Sequence, residues 1–366
     1  MIEFKLDKNI ETVAIYGANT TGFALKNYID EYYSNVNIKY FIDAAAEQIG
    51  DFCDIPTLKP EDFFPRAKEV DIIIIAPFNR SQDIKHTLLG NNIENFTILE
   101  DNFECKYIEQ MLNSEEEREL FRAVYTSRRL RNELLFTLYN KERLQINSQG
   151  YANANQYIEF INKDAIKTIL DCGGQNGYTS IVFEHEIPCA QKIYCFEPYY
   201  EKFATFVPGI KGPSNLYKDI VQRSNKIEII EKGVWSEETT LTFYENTKSP
   251  GGSTVIPKTN EDIYIKHKIQ TTTIDKFKRE KGIDKIDFIK MDIESAELNA
   301  LKGGYETIIN DRPQLAISIY HTLMEYISIP LYLKQICKDY EFHLGNYSRR
   351  PAETVMYAIP KELLIK

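Results

Sequence analysis

The chain has 366 residues, 43% hydrophobic and 27% charged, an ordinary globular balance with room for two separately cored domains. A formal charge of −10 argues against nucleic acid as the partner, because phosphate binding needs clustered Lys and Arg. The N-terminus MIEFKLDKNIE lacks an apolar signal core and the longest apolar stretches, such as residues 72–77, are too short to span a bilayer, so a cytoplasmic protein is expected. The cysteines at 53, 105, 172, 189, 195 and 337 include no C-x-x-C pair and have no His cluster beside them, which points to buried free thiols rather than a zinc site or disulfides.

Residues 12–16 (TVAIY) read as a buried strand that runs through Gly17-Ala18-Asn19-Thr20-Thr21-Gly22 into a helix. Further strands are expected at 38–42, 71–76 and 96–99, and their alternation with helical stretches predicts a parallel α/β sheet. Gly17 to Gly22 partly matches the dinucleotide fingerprint, with Asn19 at its second glycine and Asp43 where a ribose-binding acid is expected. The two readings are a nucleotide pocket and a tight turn in an accessory domain, and the degenerate glycine pattern favours the turn. The stretches FIDAAAEQIGDFCDIPTLKPEDF and DIIIIAPFNRSQDIKHTL resemble small Rossmann-like domains beside sugar-modifying enzymes, among them the accessory domain of sugar C-methyltransferases.

Ser114 and Glu117 form a capping-box sequence. Apolar pairs at 120/121, 124/125, 134/135 and 138/139 then predict one long helix packed against both domains. The basic run Arg128-Arg129, with Arg122 and Arg131, reads as a solvated helix face. The expected organisation is a Rossmann-like accessory domain at 1–113, a connecting helix at 114–149 and a larger α/β domain at 150–366, with no internal repeat.

In that larger domain, strand 165–170 leads into Asp171-Cys172-Gly173-Gly174-Gln175-Asn176-Gly177 and a helix. Glycines admit a ligand to the backbone there, and a helix N-terminus offers free N–H groups. Strand 192–196 ends at Glu197-Pro198, where an acid can accept both hydroxyls of a ribose. Strand 226–231 leads to Gly233-Val234-Trp235-Ser236, whose backbone can frame a base. Strand 287–291 ends in Asp292-Ile293-Glu294-Ser295-Ala296-Glu297 and a helix carrying Leu298, Leu301 and Tyr305. These strand ends converge at one edge of a parallel sheet, where such folds bind ligands.

The ordered blocks ILDCGGQNGYTS, IYCFEPYYEKF, FIKMDIESAELNALKGG, ISIYH and ETVMYAIP resemble the FkbM-type methyltransferases over about residues 150–360. The resemblance implies a Rossmann-like methyltransferase fold and S-adenosylmethionine-dependent O-methylation of a sugar, nucleotide sugar or surface glycan. It places the cofactor loop on Asp171, Gly173 and Gly177, the ribose on Glu197, and Asp292 beside the sulfonium; Gly174, Gln175 and Asn176 in the same loop, Pro198 beside Glu197 and Val234 after the third strand are cofactor candidates by their position. One departure is Ser295, where the family has glycine. Ser295 can cap the following helix, but is strained if the position has a positive φ.

His321 and Asp292 are the candidate catalytic bases, since either could take the acceptor's proton. Glu294 is a candidate substrate ligand or a partner of Lys290, although acids at 294 and 297 also suit a helix first turn. Tyr157 and Ser253, the latter in the turn Gly251-Gly252-Ser253-Thr254, are further substrate candidates. A divalent metal would suit Asp292, Glu294 and His321 if they converge, but the spacing does not demand one and none is expected. The expected partner is a small-molecule or glycan acceptor, with homo-oligomerisation compatible. The competing readings are an NAD(P)-dependent oxidoreductase using the N-terminal domain, and a binding protein with a relic methyltransferase domain.

Overall fold

The computed structural model describes residues 2, 4–76, 80–100, 102–140, 155–205, 213–248, 252–258 and 262–364. The chain forms two compact units, Met1–Met111 and Leu112–Lys366.

The first unit is a five-stranded parallel sheet of β1 (Thr12–Tyr16), β2 (Asn37–Ile42), β3 (Thr57–Leu58), β4 (Ile72–Ile75) and β5 (Phe96–Ile98), in the order β3-β2-β1-β4-β5. This is a Rossmann-like order. The continuous IIII of β4 suits a strand covered on both faces. β3, at two residues, is too short to leave a periodic signal. The Asn19 side chain caps helix Thr20–Tyr32 by accepting from the Gly22 N–H at 3.0 Å. Asp43 accepts from the Ala18 and Ala45 N–H groups at 3.1 and 2.9 Å. Both residues of the degenerate fingerprint are therefore engaged in closing the turn.

The second unit is built on a seven-stranded sheet. Its strands are β6 (Thr168–Cys172), β7 (Lys192–Phe196), β8 (Ile227–Ile230), β12 (Phe288–Met291), β13 (Gln314–Ser318), β14 (Tyr340–Asn346) and β15 (Thr354–Pro360). They lie in the order β14-β15-β13-β12-β6-β7-β8, with β15 antiparallel to both neighbours and the pairs from β13 to β8 parallel. A Rossmann-like methyltransferase sheet has this form. Buried Ile169, Ile193 and Phe288 form its core, with Phe183 of helix Tyr178–Glu186 packed edge-on to Phe288 at 5.4 Å. Each such side chain contributes about 1.5–3 kcal/mol on burial.

A second sheet, β10-β11-β9, joins β9 (Gly233–Val234), β10 (Thr240–Asn246) and β11 (Tyr264–Thr272). β10 and β11 leave little alternating signal in the sequence, because their half-buried faces mix polar and apolar residues.

The connecting segment is two helices rather than one. Glu115–Arg129 starts with the expected capping box and stops where Arg131 adopts φ 51°; Glu133–Asn140 follows. The remainder of the expected helix, and the Leu138 side chain, lie outside the described residues. The first helix is integral to the second unit: Phe121 stacks on Tyr326 at 4.9 Å, and Glu117 accepts from the Leu344 N–H at 3.0 Å. Arg128 is not on a solvated face; its guanidinium donates to the Pro351 carbonyl at 2.8 and 2.6 Å. The six cysteines are free, four of them buried and Cys189 exposed. Among the described residues no helix is long and apolar enough to cross a membrane.

Candidate active site

β6 sits between β12 and β7, so the chain leaves the centre of the sheet in opposite directions on its two sides. Such a reversal opens a crevice beyond the carboxyl ends of the strands. A cavity of about 610 Å³ lies there. Gly173 and Gln175 line it after β6, Glu197 and Pro198 after β7, Val234 from β9, and Asp292 and Glu294 after β12. Ser253, Tyr320 and Glu353 also face it.

Gly173 has φ 85°, and a Cβ there would collide with the Asp292 carbonyl oxygen. Only glycine lets the loop after β6 approach the turn after β12 so closely. Four other residues expected on the cofactor do not line the cavity. Asp171 is closed to solvent, accepts from the Ser180 hydroxyl at 2.7 Å and pairs with Lys290 Nζ at 3.0 Å. Gly174 backs onto the Cys195 sulfur, Asn176 accepts from the Tyr178 N–H at 3.1 Å, and Gly177, at φ 83°, starts the helix against Val221. They shape the loop from behind, because a turn this tight points these groups inward.

Glu197 is buried and accepts from the Gln175 and Tyr199 N–H groups, both at 3.1 Å. Burial pushes its carboxyl up to about 7, against the pull of those two donors.

The Asp292 carboxylate is surrounded by donors. Tyr157 donates to it at 2.6 Å and Tyr320 at 3.2 Å, and His321 Nε2 lies 3.0 Å away. Burial alone would raise its pKa, but His321, Lys290 and the Tyr157 hydroxyl hold it well below the usual carboxylate range. His321 Nε2 is also 3.1 Å from Glu297 Oε1, and its Nδ1 is 3.6 Å from Glu294. Burial would lower the imidazole, but the charges of Glu297 and Asp292 prevail and push it up to about 12.

These contacts disfavour both expected bases: the three acids around His321 favour its protonated form, and the Asp292 carboxylate already accepts from Tyr157 and Tyr320. Tyr157 and His321, expected on the substrate, stand behind Asp292 rather than on the cavity wall. Glu294 and Ser253 do face it. Gly251 of the glycine-rich turn lies outside the described residues.

Glu294 and Ser295 have φ 54° and 77°, so the serine at the family's glycine position is indeed left-handed. Ser295 does not cap helix Glu297–Lys302; Ala296 holds that place, and the Ser295 hydroxyl donates to Glu325 at 3.2 Å. The expected single helix through Tyr305 divides at Gly303-Gly304, and a Cβ at Gly303 would collide with the Trp235 carbonyl oxygen. Burial pushes Glu294 up to about 8 and Glu353 to about 7.

Ligand atoms of Asp292, Glu294 and His321 lie within 4.8 Å of one another, a spacing that admits a cation. The imidazolium already supplies positive charge there, so a metal would have to displace its proton. Reasoning from sequence also missed Tyr320, Glu353 and the apolar wall of Leu241, Phe243 and Ile269. Tyr320 and Glu353 were within reach, since each lies in one of the resembling blocks.

A reversal-point cavity at the carboxyl ends of β6, β7 and β12 belongs to a Rossmann-like methyltransferase fold. The family model described as "Methyltransferase FkbM domain" matches residues 171–344, within the second unit. A crystal structure of methyltransferase FkbM from Methylobacillus flagellatus KT aligns at 17% identity and TM-score 0.49, over 96% of this chain and 90% of that one. A putative rRNA-methylase from Clostridium thermocellum aligns at 11% identity and TM-score 0.32, over 54% and 92%. RSP, a Rex-family repressor, aligns at 22% identity and TM-score 0.22, over 35% and 63%. Comparison with curated protein sequences returns no significant match.

Proposed function

We propose that the second unit binds S-adenosylmethionine and methylates a hydroxyl of a sugar, nucleotide sugar or surface glycan. The observation that carries this reading is that Glu197 and Asp292, at the ends of β7 and β12 on either side of β6, open into one cavity of about 610 Å³. The donor set fits the cofactor. Glu197 has acceptor capacity beyond its two backbone N–H bonds and would hold the ribose hydroxyls, Val234 would frame the adenine, and Gly173 and Gln175 would pass close to the amino-acid moiety.

Bound there, S-adenosylmethionine supplies an activated methyl group. Asp292, kept ionised by Tyr157, Tyr320 and His321, would place fixed negative charge beside the sulfonium. The His321–Glu297 pair orients Asp292 from behind. Leu241, Phe243 and Ile269 form an apolar wall, while Glu294 and Ser253 offer polar groups. An acceptor with an apolar face and a hydroxyl edge, as a sugar ring has, suits that division. Alignment of acceptor oxygen and methyl group would supply much of the acceleration, on the order of 7–11 kcal/mol at most.

Calorimetric titration with S-adenosylmethionine tests the cofactor assignment. Glu197→Ala should weaken binding about 10–100-fold, the worth of hydrogen bonds to a charged acceptor. Wild-type affinity in that variant would sink the ribose role. Mass spectrometry of sugars incubated with labelled S-adenosylmethionine then identifies the acceptor.

A further inference from the structure

Five of the non-glycine residues with left-handed backbone, Tyr157, Gln175, Glu294, Ser295 and Glu353, belong to this one site. Residues held in that region cost about 1–3 kcal/mol each and persist where the surrounding structure over-determines them. Glu353, at φ 52°, immediately precedes β15 and faces the cavity. Its Oε2 accepts from Gln156 Nε2 at 2.7 Å, and the same nitrogen donates to the Tyr157 hydroxyl at 3.0 Å. Tyr157 in turn donates to Asp292. Among the described residues the bond from Gln156 to Oε2 is the side-chain hydrogen bond to the Glu353 carboxylate, and none reaches Oε1.

We propose that Glu353 is the catalytic base that accepts the proton of the acceptor hydroxyl, with Gln156 as its positioning residue. The proposal rests on the methyltransferase reading above. Other groups facing the cavity's acid end are less suited. Asp292 already accepts from Tyr157 and Tyr320, and His321 Nε2 lies between the Asp292 and Glu297 carboxylates at 3.0 and 3.1 Å, which favours its protonated form. Glu294 lies against the imidazolium at 3.6 Å, whereas Glu353 has one oxygen fixed by a neutral amide and the other unengaged.

In the step, the acceptor oxygen bonds to the methyl carbon of a sulfonium donor as the methyl–sulfur bond breaks. Its electron pair remains on sulfur, giving a neutral thioether. The hydroxyl proton passes to Glu353 Oε1, so no charge is left on the ether product. The charged groups that act on Glu353 are Lys290 and Asp292 at the end of β12, Glu294 after it, and His321 after β13; the neutral hydroxyls of Tyr157 and Tyr320 stand among them.

The test compares wild type, Glu353→Gln, Glu353→Asp, Gln156→Ala and Glu294→Gln in the full chain. S-adenosylmethionine is the donor and a panel of methyl hexosides and deoxyhexosides the acceptors. Glu353→Gln should lower kcat about 10²–10⁴-fold, the usual worth of a positioned base, with S-adenosylmethionine affinity within twofold of wild type. The ascending limb of the pH–rate profile should vanish in that variant, and Glu353→Asp should restore part of it. Gln156→Ala should keep the limb but shift it. Carboxyl ¹³C NMR reads the same residue without any acceptor, and a Glu353 resonance titrating near pH 7 is expected.

Turnover in Glu353→Gln within threefold of wild type would overturn the proposal. So would a Glu353 resonance titrating below pH 5, or loss of the ascending limb in Glu294→Gln instead. If the wild type fails to bind S-adenosylmethionine, the methyltransferase reading itself is what fails.

Discussion

Lys290 Nζ lies 3.0 Å from Asp171 Oδ1, and both side chains are closed to solvent. The ammonium also donates to the Gly173 carbonyl at 2.9 Å and sits 5.2 Å from the Tyr157 ring centroid. Burial would lower its pKa, but Asp171 and Asp292 outweigh that and hold the lysine charged. One ion pair thus joins β6 to β12 at the point where the sheet changes direction.

Removing one member of a buried pair leaves the other uncompensated, so Lys290→Met should cost about 3–5 kcal/mol in urea unfolding. The double variant Asp171→Asn/Lys290→Met should recover at least half of that. A loss below about 1 kcal/mol in the single variant would show that the pair does not hold the crossing together.

Ser295→Gly should be neutral to about 1 kcal/mol stabilising, since glycine relieves the left-handed backbone while forfeiting the bond to Glu325. Ser295→Ala keeps the strain and loses the same bond, so it should be destabilising. Thermal or urea unfolding of the two variants gives opposite signs if φ governs the position, and the same sign if the hydroxyl does.

Stability of the ligand-free protein should fall as pH rises from about 5 to 8. Glu197, Glu294 and Glu353 are raised by burial from 4.5 to about 7, 8 and 7. Over that interval the folded chain binds more protons than the unfolded one, so their contribution is complete below 4.5 and lost as pH passes through the folded values. His321, raised from 6.5 to about 12, adds the same sign above pH 6.5. The depressed Asp292 acts oppositely, but its contribution is complete above 3.8 and is lost only in acid. Each group contributes a slope of up to about 1.4 kcal/mol per pH unit. Urea midpoints at pH 5, 6, 7 and 8 measure it, and Glu197→Gln should flatten it by up to one proton. A stability that rises over this range would contradict the burial of these acids.

What could be read before folding was whatever a short stretch of backbone settles by itself. The parallel α/β character follows from runs such as IIII of β4, and the capping box at Ser114 follows from four consecutive residues. The turn after β6 was legible because glycine is needed where φ is positive, and the acids at 197 and 292 because they end apolar strands. The long helix expected from 114 onward failed at Arg131, since an apolar periodicity does not register a single left-handed residue.

Ionisation and facing were decided only by tertiary structure. His321 reads as a neutral base in isolation, but Asp292 after β12 and Glu297 at the start of the following helix close on it and favour its protonated form. Glu353 lies 197 positions from Gln156, and Tyr157 lies 135 from Asp292, so no local pattern could bring them together. From the sequence alone came the Rossmann-like methyltransferase fold and the place of the glycine-rich loop after β6. Which acid can take a proton depends on burial and on charges a few ångströms away, and those distances exist only once the sheet has brought its strand ends to a common edge.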